Sequence, residues 1–465
     1  MQKKIYIAIL CLLFFTHTAI AQDDKLFNTK SFTLDNGLEV IAIPNTRSPV
    51  VTQMVWYKTG AADEPYGQSG VAHYIEHLMF KGSENVAPGE LSKTIRDLGG
   101  NDNAFTSQDY TAYFQTLSSE YLEKAMRMEA DRMKGLKVPE EEAKSELLVV
   151  LEERRQRLEN DPQALFFAEL NAALYPDHPY GIPIIGWKAD VENLTLNDAL
   201  EYFEAHYKPN NARLIVAGDI EPDKLKRLAE KYYGGISRHK VPKRIINRPI
   251  DPLITNTTIN MQHSRILQPI YARFYRAPNW QENQKESLAL TVLQELLDGG
   301  SSAPLYQELV AKQKLVASAS IRYSSQSLGP TDISFSATPA QNIDAHSVKA
   351  AFEAFIAHYS QKDWTEAEIK QAVTRIQDST AYLRDSVTGP AMIVGQALAT
   401  GMTLDEIEHY PSLLNQVTPK DVKAVFNKYM SPKSLYVEGF LEPETASLAS
   451  PEKAAEPTPD KKKGK

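Results

Sequence analysis

The sequence places two histidines and a glutamate where they can carry out metal and proton chemistry together. His73 and His77 are four residues apart, and Glu76 directly precedes the second histidine. On a helix, at about 100° per residue, both imidazoles project from one face and can bind one metal ion. Neutral imidazoles suit zinc, and a catalytic zinc needs three protein ligands and one open position. The spacing therefore predicts two zinc ligands beside a carboxylate. A catalytic zinc would need a third ligand from elsewhere in the chain.

A second helical segment supplies candidates for the third ligand. Glu146 and Glu153 are seven residues apart, so they project from nearly the same side of a helix. Val149 and Val150 lie between them, and we expect this apolar stripe to be buried. We predict that Glu153 is the third ligand and that Glu146 holds a ligand histidine by a hydrogen bond. Glu152 is rotated away from the stripe, which favours a solvated carboxylate.

These residue types support hydrolysis of an amide bond. Zinc held by two imidazoles and one carboxylate lowers the pKa of a bound water to about 7. Glu76 can take the proton of this water as a general base and deliver it to the leaving amine. Two alternatives stay open: the histidines could serve only packing, or the chain could transport or store metal. Storage is disfavoured because the chain has 10 histidines and no histidine-rich tract.

The elements that must position these residues are strands and helices in alternation. The patterns of residues 39–43 and 50–58 predict strands. Residues 71–80, 121–136 and 140–158 have the apolar period of helices. This mixture predicts an α+β fold in which helices cover one face of a mostly antiparallel sheet.

An internal repeat predicts two domains of the same kind. Four residues of the first half recur at one constant offset in the second half. The first set is Thr195, Asp198, Phe203 and Pro209, and the second set is Thr418, Asp421, Phe426 and Pro432. In each copy the threonine suits a helix N-cap, the proline ends the helix, and an alternating strand follows. The sequence therefore predicts two homologous αβ domains.

Shifts in composition give the domain boundaries. Residues 1–21 are typical of a signal peptide, and residues 22–237 are predicted to form the domain with the metal site. Residues 238–254 combine basic residues and prolines without an apolar period, which predicts a linker, with a surface loop inside one domain as the alternative. Residues 255–447 are predicted to form the second domain. Residues 448–465 have little to bury, so we expect a disordered tail.

The N-terminal segment predicts export. Two lysines precede the apolar run 5–15, and small residues at 19–21 supply a cleavage site before Gln22. The run is shorter than the roughly 20 residues of a membrane-spanning helix, so we expect no membrane span. The single cysteine, Cys11, lies inside this segment, which leaves the mature chain without disulfides. We expect a periplasmic or secreted protein.

The overall charge disfavours one class of partner. The chain has 51 Lys and Arg against 59 Asp and Glu, a formal net charge of −8. With 42% hydrophobic and 24% charged residues, it has the composition of a globular protein. An acidic balance offers no attraction for a polyphosphate backbone, so we do not expect a nucleic acid partner.

The metal-binding pattern resembles that of the inverted zinc peptidases, the inverzincin family of pitrilysin, insulin-degrading enzyme and mitochondrial processing peptidase. The H-x-x-E-H motif of that family stands here at residues 73–77. The similarity extends to residues 80–83, 103–107 and 110–113. The third ligand of the family follows the second histidine at the spacing of Glu153, in agreement with the choice made from helix phase.

The resemblance implies a fold and a substrate. Two homologous αβ domains would form half of a clamshell whose chamber admits unfolded peptides. Four residues would form an edge strand to which a peptide substrate adds by β-augmentation. These residues are Asn103, Ala104, Phe105 and Thr106. Asn103 would contact the peptide near the scissile bond, and the alternative is that it only turns the chain after Gly99 and Gly100.

The second half departs from the family pattern. Thr291, Gln294 and Glu295 stand where the first half has its motif, so we expect no second metal site. Active relatives often carry an arginine and, seven residues on, a tyrosine that bind substrate and stabilise the oxyanion. Here these positions are Val310 and Ala317. We therefore expect a homologous partner chain to supply the pair in a heterodimer, with a homodimer as the alternative.

Two functional hypotheses remain at this point. The first is a zinc endopeptidase subunit that acts on peptides or unfolded segments. The second is a non-catalytic homologue that binds peptides or serves as a scaffold. The intact Glu76 argues against the second, because a scaffold needs no base beside metal ligands.

Overall fold

The computed structural model of the protein describes residues 25–244 and 250–444. The predicted signal peptide, the predicted tail and residues 245–249 of the predicted linker lie outside the described residues. Within the described ranges, every helix is too short or too polar to cross a bilayer.

The first half is built on a six-stranded sheet. Its strands are β1 (Lys30–Thr33), β2 (Glu39–Pro44), β3 (Val50–Tyr57), β4 (Asn101–Thr106), β5 (Thr111–Ser118) and β6 (Ala212–Gly218). Their order is β1-β2-β6-β3-β5-β4, and all neighbours are antiparallel except β2 and β6. The strand β4 therefore lies at an edge of this sheet.

Eight α-helices belong to the described part of the first half. They are α1 (Val71–Leu78), α2 (Glu90–Asp97), α3 (Leu122–Lys134), α4 (Glu140–Arg154), α5 (Pro162–Leu174), α6 (Lys188–Val191), α7 (Leu196–His206) and α8 (Pro222–Tyr233). The predicted helices at 71–80, 121–136 and 140–158 correspond to α1, α3 and α4, and α4 continues into a π-helical turn at Arg155–Glu159.

The second half is built on a five-stranded sheet. Its strands are β7 (Thr257–His263), β8 (Ile270–Ala277), β9 (Val316–Tyr323), β10 (Thr331–Pro339) and β11 (Val437–Pro443). The α-helices are α9 (Gln284–Asp298), α10 (Ala345–Ser360), α11 (Glu366–Arg384), α12 (Gly389–Ala399), α13 (Leu404–Glu408), α14 (Tyr410–Leu414) and α15 (Pro419–Tyr429).

The two halves share one topology. The order β2-β6-β3-β5-β4 corresponds to β7-β11-β8-β10-β9, and each sheet has its single parallel pair at the same place. Thr195 and Thr418 cap α7 and α15 through reciprocal hydrogen bonds with Asp198 and Asp421. The predicted α+β fold with two homologous αβ domains is confirmed. The domain boundaries at residues 238 and 254 stay predictions.

Each sheet is covered on its second face by a helix from the other half. Helix α12 packs on β3 and β6, and α5 packs on β7 and β11. The sequence did not predict the cover of this second face, because a sequence period shows that a face is apolar but not which distant helix covers it. Gly395 of α12 lies against Trp56, and Gly439 of β11 lies against Phe166.

Replacing Gly395 by alanine is expected to destabilise the protein by about 1–3 kcal/mol, the usual cost of overpacking. A Cβ there would lie 2.0 Å from Cε2 of Trp56, whose side chain is only 1% exposed. Most of this range exceeds the roughly 0.5–1 kcal/mol that alanine gains over glycine in a helix, so the net effect is a loss of stability. Urea unfolding gives the free energy, and Gly235→Ala, with nothing within 4 Å of its Cβ, is the control. Equal stability of both variants would contradict the packing argument.

Candidate active site

Helix α1 carries the H-x-x-E-H motif, and two neighbouring residues fix the position of its N-terminus. Gly70, directly before the helix, has a φ of 92°, in the left-handed region that favours glycine. The carboxylate of Glu64 accepts the backbone N–H groups of Gly70 and Ala72, each at 2.9 Å. Glu64 thus satisfies two of the free N–H groups at the start of the helix. This contact anchors the element that presents the histidines.

The structure brings together the three predicted metal ligands. One ligand atom from each of His73, His77 and Glu153 lies within 4.8 Å of the others. Oε2 of Glu153 is 3.2 Å from Nε2 of His77 and 3.9 Å from Nε2 of His73. No other group of three such residues was found within residues 25–244 and 250–444. Two imidazole nitrogens and one carboxylate oxygen form a donor set that suits a catalytic zinc.

Glu146 lies where it can fix the orientation of His77. Its Oε1 is 2.8 Å from Nδ1 of His77, and its Oε2 is 2.5 Å from Nζ of Lys81. The carboxylate only accepts, so Nδ1 of His77 donates, which leaves Nε2 for the metal. Burial raises the pKa of Glu146, but its bonds to His77 and Lys81 outweigh this and keep the pKa below its ordinary value.

Glu146→Gln is expected to weaken zinc affinity by about 10–100-fold, as loss of such a partner usually does. The amide oxygen can still accept from His77, but it carries no charge to strengthen the imidazole as a ligand. Competition with a chromophoric chelator measures the affinity. The control is Glu142→Gln, which removes an exposed carboxylate from the same helix. An affinity equal to that of the control would contradict this role of Glu146.

The two oxygens of Glu153 face different partners. Oε2 faces the histidines, whereas Oε1 is 2.9 Å from the guanidinium of Arg157, one turn further on. Glu152 is exposed and paired with Arg155, as its helix phase predicts. Val150 is buried, but Val149 is 49% exposed, so its predicted burial was wrong. The two valines lie on opposite sides of the carboxylate stripe. Val150 packs into the hydrophobic core, whereas the side of the helix that carries Val149 is open to solvent.

The two histidines differ in their electrostatic surroundings. Burial, together with the neighbouring charges of His77 and Arg157, lowers the pKa of His73 to about 3. The imidazole is therefore neutral, the form that binds metal. Burial also lowers the pKa of His77, but its hydrogen bond to Glu146 and the charge of Glu153 outweigh this and raise it above the ordinary value.

Glu76 has the surroundings of a general base. Burial raises the pKa of its carboxyl group, although a hydrogen bond from Thr106 and the charge of His77 act in the opposite direction. The Thr106 hydroxyl donates to Oε2 of Glu76 at 2.5 Å. A carboxylate with a raised pKa holds a proton more strongly, which suits a group that must take a proton and pass it on.

The four predicted peptide contacts lie on the edge strand β4, but their side chains have different surroundings. Asn103 is exposed, and its Oδ1 accepts the backbone N–H of Ala104 at 2.9 Å. The Phe105 ring is half-buried and packs on Trp56, with a centroid distance of 5.4 Å. The Thr106 hydroxyl is directed at Glu76. The strand therefore offers its main chain and the Asn103 side chain at the free edge.

Three residues that support the site, Lys81, Arg157 and Glu64, were not predicted from the sequence. Lys81 lies four residues after His77, and Arg157 lies four residues after Glu153. This i to i+4 spacing on a helix could have found both residues. Glu64 carried no comparable signal, because it lies before the helix and acts through a loop.

The second half has an ion pair where the first half has its metal ligands. Thr291, Gln294 and Glu295 lie on α9. Oε1 of Glu295 is 2.5 Å from Nε of Arg375 on α11. Val310 is half-buried in the π-helical turn Tyr306–Lys312, and Ala317 is exposed on β9.

The chain belongs to peptidase family M16. Residues 39–188 match the family model described as insulinase (peptidase family M16), and residues 193–376 match the model of the peptidase M16 inactive domain.

Relatives and solved structures support the same family. The zinc protease PqqE of Helicobacter pylori is 31% identical over 362 residues, which cover 77% of this chain and 80% of that protein. A probable mitochondrial-processing peptidase subunit beta of Schizosaccharomyces pombe is 25% identical over 88% of this chain and 90% of its own. The crystal structure of a protease from Helicobacter pylori superposes with a TM-score of 0.83 at 28% identity and covers 89% of this chain and 99% of that chain.

Proposed function

We propose that this chain is the catalytic subunit of a zinc-dependent endopeptidase that hydrolyses peptides or unfolded polypeptide segments. The observation that carries this proposal is the meeting of His73, His77 and Glu153, from two helices, beside the carboxylate of Glu76. The neutral state of the buried His73 suits a metal ligand. Membership of a peptidase family and similarity to a zinc protease support the same conclusion.

Each residue of the site has its own role in the proposed hydrolysis. Zinc, when bound, supplies a Lewis acid that makes hydroxide available near neutral pH. Glu76 takes the proton that is released and delivers it to the leaving amine. Glu146 and Arg157 hold the two ligands His77 and Glu153 in orientation. The free edge of β4 binds the peptide through main-chain hydrogen bonds, and the N–H of Ala104 exchanges its Asn103 acceptor for a peptide carbonyl.

Removal and restoration of metal test the proposal. The purified protein, with any partner that copurifies, is assayed on a quenched fluorescent peptide before and after treatment with a chelator. We expect cleavage to stop on chelation and to return with Zn²⁺. A sample that binds zinc and peptide but cuts nothing would refute the endopeptidase and support the non-catalytic homologue.

We also propose that a homologous partner chain completes the catalytic chamber. Val310 and Ala317 occupy the positions where active relatives often have arginine and tyrosine, and one relative is named as a beta subunit. Native mass spectrometry of the complex purified from its own host tests this. A second chain of similar size is expected. Full activity of a homodimer, lost on Glu76→Gln, would refute the heterodimer.

A location outside the cytoplasm is proposed from the N-terminal segment alone. The basic start, the apolar run 5–15 and the small residues before Gln22 support cleavage by a signal peptidase. N-terminal sequencing of the mature protein from the envelope fraction is expected to begin at Gln22. A protein that starts at Met1 in the cytoplasmic fraction would contradict export.

A further inference from the structure

We propose that Thr106 positions the general base Glu76 and that its side chain is not a peptide contact. This inference rests on the proposed function, because it assigns a role within the same reaction. The hydroxyl of Thr106 donates to Oε2 of Glu76 at 2.5 Å. Within residues 25–244 and 250–444, the Glu76 carboxylate accepts no other hydrogen bond.

The strand holds Thr106 in place. Thr106 is the last residue of β4, and its main chain pairs with Thr111 of β5. Helix α1, which carries Glu76, packs against β4. The hydroxyl therefore reaches the base from a rigid element, whereas the carboxylate lies at the end of a flexible side chain.

The hydrogen bond selects one orientation of the base. With Oε2 held by Thr106, the other oxygen of Glu76 stays free to receive a proton. Loss of the hydroxyl leaves the carboxylate free to rotate, and small misplacements of a catalytic group cost large factors in rate. Because β4 is also the predicted peptide-binding edge, one strand sets the positions of both the peptide and the base.

The side chains on the face of β4 that carries Thr106 contact helices, which supports this assignment. Asp102, four residues earlier, projects from the same face and accepts a hydrogen bond from Ser92 of α2. Both side chains thus face the helices that pack against the sheet, and a serine of α2 is the partner of Asp102. The Ser92 contact does not involve the base, so it offers a matched control for the loss of a hydroxyl–carboxylate bond.

The experiment compares Thr106→Val, Thr106→Ser and Ser92→Ala in the purified, zinc-loaded complex. For Thr106→Val we expect kcat for a quenched fluorescent peptide to fall by about 10–100-fold, with KM changed by less than about twofold. Zinc content is expected to stay unchanged. Thr106→Ser keeps the hydroxyl and is expected to keep most of the activity, and Ser92→Ala is expected to match the wild type.

Two further results distinguish a positioning role from the alternatives. A higher KM with unchanged kcat for Thr106→Val, together with weaker binding of the labelled peptide to the zinc-free protein, would overturn the proposal in favour of a peptide contact. An equal loss of kcat in Thr106→Val and Thr106→Ser would also overturn it, because packing would then be the cause.

A double-mutant cycle tests the contact without any turnover. Thr106→Val and Glu76→Ala are combined in the zinc-free protein, and thermal unfolding is measured. We expect Thr106→Val to lower the melting temperature in the wild type and to have no effect when Glu76 is alanine. Additive effects would overturn the proposal. If the wild-type complex cuts no peptide, the proposed function fails, whereas this cycle still decides whether the hydroxyl of Thr106 and the carboxylate of Glu76 interact.

Discussion

Glu76→Gln is expected to lower kcat by about 10³-fold or more. General acid–base catalysis typically contributes about 10²–10⁴-fold to the rate. Glutamine has the shape of glutamate, and its amide oxygen can still accept the hydrogen bond from Thr106. It cannot take a proton from water or return one to the amine. Turnover of a quenched fluorescent peptide and zinc content by atomic absorption are measured on the same sample, and zinc is expected to remain bound.

The control for this variant is Glu84→Gln, which neutralises a carboxylate on the exposed surface without touching the site. Its kcat and zinc content are expected to equal those of the wild type. A Glu76→Gln protein that keeps its zinc and more than about a tenth of its kcat would exclude Glu76 as the general base.

Glu153→Gln is expected to lose zinc, with an affinity at least about 100-fold below that of the wild type. The substitution replaces the one charged donor of the set by a neutral amide and leaves Arg157 near the site without its carboxylate partner. Both changes disfavour a divalent cation. Zinc content and chelator competition measure the loss, and peptide cleavage is expected to fall with zinc occupancy.

Glu152→Gln is a stringent control, because Glu152 is the adjacent residue on the same helix. Its side chain is exposed and pairs with Arg155, away from the histidines. Wild-type zinc affinity is expected. If both variants bound zinc equally well, Glu153 would not be the third ligand. Together, Glu76→Gln and Glu153→Gln separate the transfer of protons from the binding of metal.

Features that depend on neighbours along the chain could be predicted from the amino-acid sequence. The four-residue spacing of His73 and His77, and the seven-residue spacing of Glu146 and Glu153, fix their directions on a helix as soon as the helix forms. The caps at Thr195 and Thr418 are likewise made within one turn. The repeat then follows, because the same local signals occur twice in the same order.

Contacts between groups that are distant in the chain depend on the tertiary structure. The contact of Thr106 with Glu76 joins a strand to a helix thirty positions earlier, and no spacing rule predicts it. The exposure of Val149 depended on which side of α4 other helices cover, and the packing of Gly395 on Trp56 depended on a helix from the other half. Such contacts form when the apolar faces of distant segments pack together in the folded chain. Their partners are chosen by the shape and burial of the whole chain, which a local period does not contain.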